Sequence, residues 1–151
     1  MTSEIDDYVC FAMYTASHAT TQAYREVLKP WGLTYPQYLA MVVLAADDAG
    51  ARTVSELGDE MHLDSGTLSP LLRRLEARGF ASRRRDTVDE RVVRVALTSE
   101  GRATLAAVRE AAGCLVPAFL DGTGDPRDLL ERLGAITENM RALAAQLRTA
   151  A

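Results

Sequence analysis

Ser65-Gly66-Thr67-Leu68-Ser69-Pro70-Leu71-Leu72-Arg73-Arg74-Leu75-Glu76-Ala77-Arg78-Gly79 is the stretch that decides how this chain folds. Its leucines 68, 71, 72 and 75 recur at i, i+3, i+4 and i+7, one face of an α-helix, and Gly79 suits the left-handed residue that ends a helix. Directly upstream, Thr53 to Met61 opens with Thr53 and Glu56 three apart, a capping box, and sets Val54, Leu57 and Met61 at helical spacing for burial. The three-residue link His62-Leu63-Asp64 joins two short helices into a helix-turn-helix. Pro70 deletes one backbone donor inside the second helix, so it is expected to kink or tighten the first turn rather than end it.

Downstream the period changes. Phe80 to Arg85 and Arg91 to Thr98 are short, flank the polar Asp86-Thr87-Val88-Asp89-Glu90, and alternate at Val93, Val95 and Leu97, which predicts a β-hairpin, the wing of a winged helix. Upstream, Asp6 to Leu28 holds no proline or glycine and reads as one long helix. Thr34 to Ala46 opens with a second capping box, Thr34 and Gln37, with Pro36 in the tolerated first turn. Helical pattern resumes from Ser99 to about Cys114. A last helix starts at Asp125-Pro126 and carries Leu129, Leu133, Ile136, Met140, Leu143 and Leu147 on one stripe. The expected fold is mainly α with a small β-hairpin wing, a single domain over 1–151. Residues 34–98 form its winged helix-turn-helix module, and 1–33 and 99–151 supply helices whose stripes need a second protomer.

Length and composition agree. The 151 residues suit one domain, and 48% hydrophobic with 25% charged residues excludes disorder. The longest apolar run, Tyr38 to Ala46, is nine residues, under half a bilayer span, and the acidic start (Glu4, Asp6, Asp7) is unlike a signal peptide. A cytoplasmic protein without membrane contact is expected. There, Cys10 and Cys114, 104 residues apart, are reactive or buried thiols rather than a structural disulfide.

The net charge of −4 hides a segregation. Residues 65–102 carry nine arginines against five acids, a balance of +4, and the remainder stands at −8. One basic module on an acidic body is the electrostatic layout of a small protein that binds double-stranded DNA. On the second helix, Ser65, Thr67, Ser69, Arg73 and Arg74 lie at or near the face opposite the leucines. Small hydroxyls there suit base edges, and the later arginines suit phosphates. Arg83, Arg84, Arg85, Arg91 and Arg94 surround the hairpin tip, where an arginine can enter an A·T-rich minor groove. The competing reading is a solvated arginine face on an ordinary helix pair.

The segment LDSGTLSPLLRRLEARGF (63–80), followed by DERVVRVALTSEGR (89–102), resembles the recognition helix and wing of the MarR family of dimeric winged-helix repressors. The resemblance runs from about Tyr8 to Leu115. It implies a homodimer on operator DNA, with the wing arginine, here Arg91, inserted in the minor groove.

Cys10, Tyr14, Ser17 and Tyr24 fall on one stripe of the first helix. Cys10 sits near that helix's N-terminus, where the dipole favours thiolate; the acids at 4, 6 and 7 oppose this, and the residues alone leave a buried, inert thiol open. The stretch VCFAMYTASHATTQAYREVLKPWGLTYPQYLAMVVL (9–44) resembles the organic-hydroperoxide-resistance (OhrR) branch of the family. That resemblance implies that Cys10 is the peroxide sensor and an organic hydroperoxide the inducer. It also implies that Tyr24 and Tyr35 of the other subunit hydrogen-bond the thiol, with Tyr14 nearby, and that Cys114 is the resolving cysteine of an intersubunit disulfide. The expected function is a redox-sensing repressor, not an enzyme, with no cofactor and no metal, since His18, His62 and the two cysteines lack ligand spacing. The alternatives are a repressor answering a phenolic or other small ligand and, behind it, a thiol peroxidase, for which the sequence offers no thioredoxin-like βαβ scaffold.

Overall fold

The computed structural model describes residues 8–46, 51–89 and 91–149. The helix start expected at Asp6, the acids Glu4 and Asp7, and Glu90 of the hairpin loop lie outside the described residues. Two compact units divide the chain, Met1–Ala112 and Gly113–Ala151.

In the first unit, α1 (Val9–Leu28) runs into a 3-10 turn (Lys29–Trp31), and α2 (Tyr35–Ala45) follows. Gly32, at φ +57°, makes the corner between them. Thr34 and Gln37 form the expected capping box on α2, as do Thr53 and Glu56 on α3 (Val54–Met61). The helix-turn-helix bends at His62, whose φ of +55° is a left-handed conformation that histidine tolerates better than bulky residues. α4 (Ser65–Ala77) buries Leu68, Leu71, Leu72 and Leu75, and Pro70 lies within it without ending it. The helix closes with a Schellman motif: Gly79 N–H donates to Glu76 O at 2.8 Å and Phe80 N–H to Leu75 O at 3.0 Å, with Gly79 at φ +75°.

The wing is an antiparallel pair, β2 (Ala81–Arg85) and β3 (Val93–Leu97). A third strand the sequence reading did not contain, β1 (Arg52–Thr53), pairs with the other edge of β3, giving the order β1-β3-β2. Two residues are too few to show a period, and β1 exists because Arg52 and Thr53 meet Val95 and Arg94. Alternation is otherwise as expected: Val95 and Leu97 face the core, and Arg94 faces water. α5 (Ser99–Ala112) then packs Leu105 and Val108 into the core with Leu28, Met41, Leu44, Leu57 and the α4 leucines. Val54 and Met61, expected to be buried, are half-buried and lean on that core from its edge.

The second unit holds a 3-10 turn (Gly113–Leu115), a short α6 (Val116–Leu120) absent from the sequence reading, and α7 (Pro126–Thr149). α7 begins at Asp125-Pro126 as expected, Asp125 Oδ1 accepting the Arg127 N–H at 2.8 Å. None of its residues is buried within the chain. By length and hydropathy the run Ser99–Leu120 is the one described helical run that matches a membrane span; in its α5 part Leu105 and Val108 are core residues.

Candidate nucleic-acid interface and thiol site

The outer face of α4 is built by its own cap. Asp64 is the N-cap: its Oδ1 accepts the Thr67 N–H at 2.9 Å, and its Oδ2 accepts the Thr67 hydroxyl at 3.0 Å. The backbone bond from Thr67, then the hydroxyl bond, holds this carboxyl below the usual aspartate range. With the leucines fixed inward, Ser65, Thr67, Arg73 and Arg74 are exposed and Ser69 is half-exposed, so all five residues expected to read DNA are on the accessible side of one helix.

At the far end of α4, Arg78 reaches back across the fold. Its Nη1 donates to Gly32 O at 2.7 Å, its Nη2 donates to Trp31 O, and its guanidinium carbon lies 5.2 Å from the Phe80 ring centroid. The corner at the end of α1 is thus tied to the end of α4. Arg78 entered the sequence reading only as one positive charge among nine.

The wing arginines separate into two groups. Arg94 forms an ion pair with Asp86 within the hairpin, and Arg83 lies 3.9 Å from Glu76 of α4, so these two hold the hairpin together and tie it to α4. Asp86 also caps the tip: its Oδ1 accepts N–H groups of Val88 at 2.8 Å and Asp89 at 3.4 Å, while its own N–H donates to Val92 O at 2.9 Å. The Arg94 bond, then the Val88 bond, keeps the Asp86 carboxyl ionised below the usual aspartate value. This ion pair also relieves the register, which sets Arg84 directly opposite Arg94. Arg84, Arg85 and Arg91 are exposed, and no ion pair engages them among the described residues. Asp89 Oδ1 accepts the Arg91 N–H at 3.0 Å, which fixes that arginine's backbone at the tip.

The thiol residues divide along α1. Cys10 is the second residue of the helix and exposed, and no acid occupies the first turn. Tyr14 stacks on His18 at 6.1 Å, and His18 is 3.0 Å from Gln22, a ladder down one face. Tyr24 stacks on Tyr35 at 4.3 Å, and Tyr38 of α2 joins them at 5.6 Å from Tyr24. Burial, then the neighbouring phenols, raises the pKa of Tyr24 and Tyr35 above the ordinary tyrosine value, so both keep their protons at neutral pH and are donors. Tyr38 was missed as a member of the cluster, although its place one turn after Tyr35 on α2 is readable. Fourteen residues of helix put Cys10 about 21 Å from Tyr24 along α1. The structure therefore brings Tyr24 and Tyr35 together but does not bring them to the Cys10 of the same chain. Cys114, in the second unit, is exposed.

The family model described as transcriptional regulator SarA/Rot matches residues 22–108. HTH-type transcriptional regulator TtmR of Methylorubrum extorquens is 41% identical over 144 residues, 93% of this chain and 71% of that protein. The organic hydroperoxide resistance transcriptional regulator of Bacillus subtilis is 39% identical over 98 residues, 65% of each chain, so this match spans just under two thirds of that regulator. Among solved structures, reduced AbfR bound to DNA, a protein of Staphylococcus epidermidis, superposes with a TM-score of 0.78 at 31% identity, covering 87% of this chain and 91% of that one.

Proposed function

The chain belongs to the SarA/Rot family of MarR-like winged-helix transcriptional regulators, and from that premise we propose that it is a homodimeric operator-binding repressor whose trigger is oxidation of Cys10 by an organic hydroperoxide. The observation that carries the trigger is the stacked Tyr24–Tyr35 pair, two protonated donors about 21 Å from their own Cys10. A second copy packed against α1 would offer its tyrosine pair to this thiol. The need for a second copy has independent support. Leu130, Leu133, Met140, Leu143 and Leu147 leave α7 with an uncovered apolar stripe, and Tyr8, Val9 and Tyr14 are exposed apolar side chains at the start of α1. Full burial of a wholly exposed leucine, valine or methionine is worth roughly 1.5–3 kcal/mol, and proportionally less where the side chain is already half covered, so the α7 stripe favours a dimer over a monomer.

In the chemistry, the Cys10 thiolate attacks the terminal peroxide oxygen. The O–O bond breaks, the alkoxide leaves and is protonated to an alcohol, and Cys10 becomes a sulfenic acid. The Cys114 thiol of the second copy then attacks that sulfur, forming an intersubunit disulfide and releasing water. The protein is oxidised once and does not turn over as an enzyme. AbfR has been solved overoxidised on DNA and also in a disulfide form. In this chain, drawing Cys10 and Cys114 of two copies together would move the elements that flank the winged helix and reposition the recognition helices, so that the crosslinked dimer leaves the operator.

The test is a DNA-shift titration beside non-reducing electrophoresis on the same peroxide-treated samples. The parent should release DNA as a crosslinked dimer appears, Cys10→Ser should stay bound, and Cys114→Ser should form sulfenate without the crosslink. Release from DNA by Cys10→Ser would refute the thiol trigger and turn attention to a small-ligand inducer.

A further inference from the structure

The hydroxyl proton of Thr67 is already committed. Asp64 takes the Thr67 N–H on Oδ1 at 2.9 Å and the Thr67 hydroxyl on Oδ2 at 3.0 Å. An ionised carboxylate only accepts, so the proton between Oγ1 and Oδ2 is the threonine's. What exposed Thr67 presents outward is a pair of oxygen lone pairs and a methyl group, beside a second acceptor, the carboxylate itself.

That polarity decides what the pair can recognise. Phosphate oxygens accept only, so neither residue hydrogen-bonds the DNA backbone while the Asp64–Thr67 bond holds, and the carboxylate repels it. In the major groove, guanine presents N7 and O6 and thymine O4, all acceptors, whereas cytosine presents the N4 amine and adenine the N6 amine. We propose that Asp64 and Thr67 act together as an acceptor-only reading group at the leading end of α4, selecting an operator base with an exocyclic amine, cytosine or adenine. This inference rests on the DNA-binding reading above and adds a specificity rule to it. Asp64, outwardly a helix cap, becomes a specificity-determining residue through the hydroxyl it orients.

The experiment enriches randomised duplexes on the intact reduced protein, then titrates the enriched duplex and its single-base variants. One position in each half-site should prefer cytosine or adenine. Thr67→Val keeps the shape and the methyl but removes one of the two acceptors, and should weaken that preference by roughly 5- to 100-fold while preferences elsewhere in the site keep their order. Asp64→Asn remains a good helix cap, and its amide can donate to Oγ1. The hydroxyl is then free to donate outward, so the same position should come to accept thymine or guanine. A purely structural cap would not change base preference in this way, and if Thr67→Val does not fold, Asp64→Asn carries the test alone. A parent preference for thymine or guanine at the position that responds, or unchanged preferences in the variants that fold, overturns the proposal. Failure of the parent to enrich any duplex overturns the DNA-binding reading and this proposal with it.

Discussion

Gly101→Ala should destabilise the protein by about 2–5 kcal/mol, although it replaces glycine by the best helix former within a helix. A Cβ at this position would stand 1.9 Å from Phe80 O and 2.8 Å from Phe80 C. Both atoms are backbone, so no side-chain rotation relieves the overlap. The carbonyl cannot easily retreat, because it accepts the Thr98 N–H at 3.1 Å. Nor is α5 free to lift: the Thr98 hydroxyl donates to Gly79 O at 2.5 Å and accepts the Gly101 N–H at 2.9 Å. Separating the two backbones to an ordinary contact forfeits two or three of these bonds at about 1 kcal/mol each, with overpacking strain of about 1–3 kcal/mol, against a gain of about 1 kcal/mol in helix propensity. Urea unfolding at one fixed protein concentration measures the difference. Because the same residues join the wing to α5, DNA affinity should fall as well. A midpoint within about 0.5 kcal/mol of the parent at equal slope would refute the close-approach argument.

Arg78→Ala should cost about 1–2 kcal/mol in the same assay by removing the two bonds to the Trp31 and Gly32 carbonyls and the stacking on Phe80. Arg78→Lys should not restore it, since one ammonium cannot reproduce the planar fork. The folded Asp86 pKa is lowered, so its ion pair with Arg94 should contribute fully above the unfolded aspartate pKa and be lost only as pH falls through the folded value; an NMR carboxyl titration with a midpoint at or above 3.8 would contradict this. Spectrophotometric titration in alkali should show tyrosines ionising above 10.0, and Tyr24→Phe should remove one of them; an unchanged late component would show that Tyr24 is not in the cluster. Arg91→Ala should weaken operator binding and flatten its salt dependence by about one charge if it contacts a phosphate, or change A·T preference if it enters the minor groove; binding unchanged in both respects would move the interface off the wing tip.

The α4 and wing half of the candidate site was legible as a fold because it is local. The α4 leucines fix which way Thr67 and Arg73 point, and Gly79 with the alternation of Val93, Val95 and Leu97 announces the hairpin, all within windows of a few residues. What escaped depends on contacts between distant segments. β1 is a strand only because β3 lies beside it, and Gly101 is indispensable only because Phe80 crosses it. Arg94, counted from sequence with the arginines at the hairpin tip, is held by Asp86 diagonally across the hairpin, a contact that only the folded wing reveals, since the register sets Arg94 opposite Arg84. The thiol half of the site was legible as a list of residue types and not as a geometry. Helical periodicity places Cys10 and Tyr24 on one stripe, yet the rise of the same helix keeps them about 21 Å apart. A shared face therefore marks a surface that two chains can complete, and in this protein the donors that would activate a cysteine are displayed at one end of α1 while the cysteine is displayed at the other.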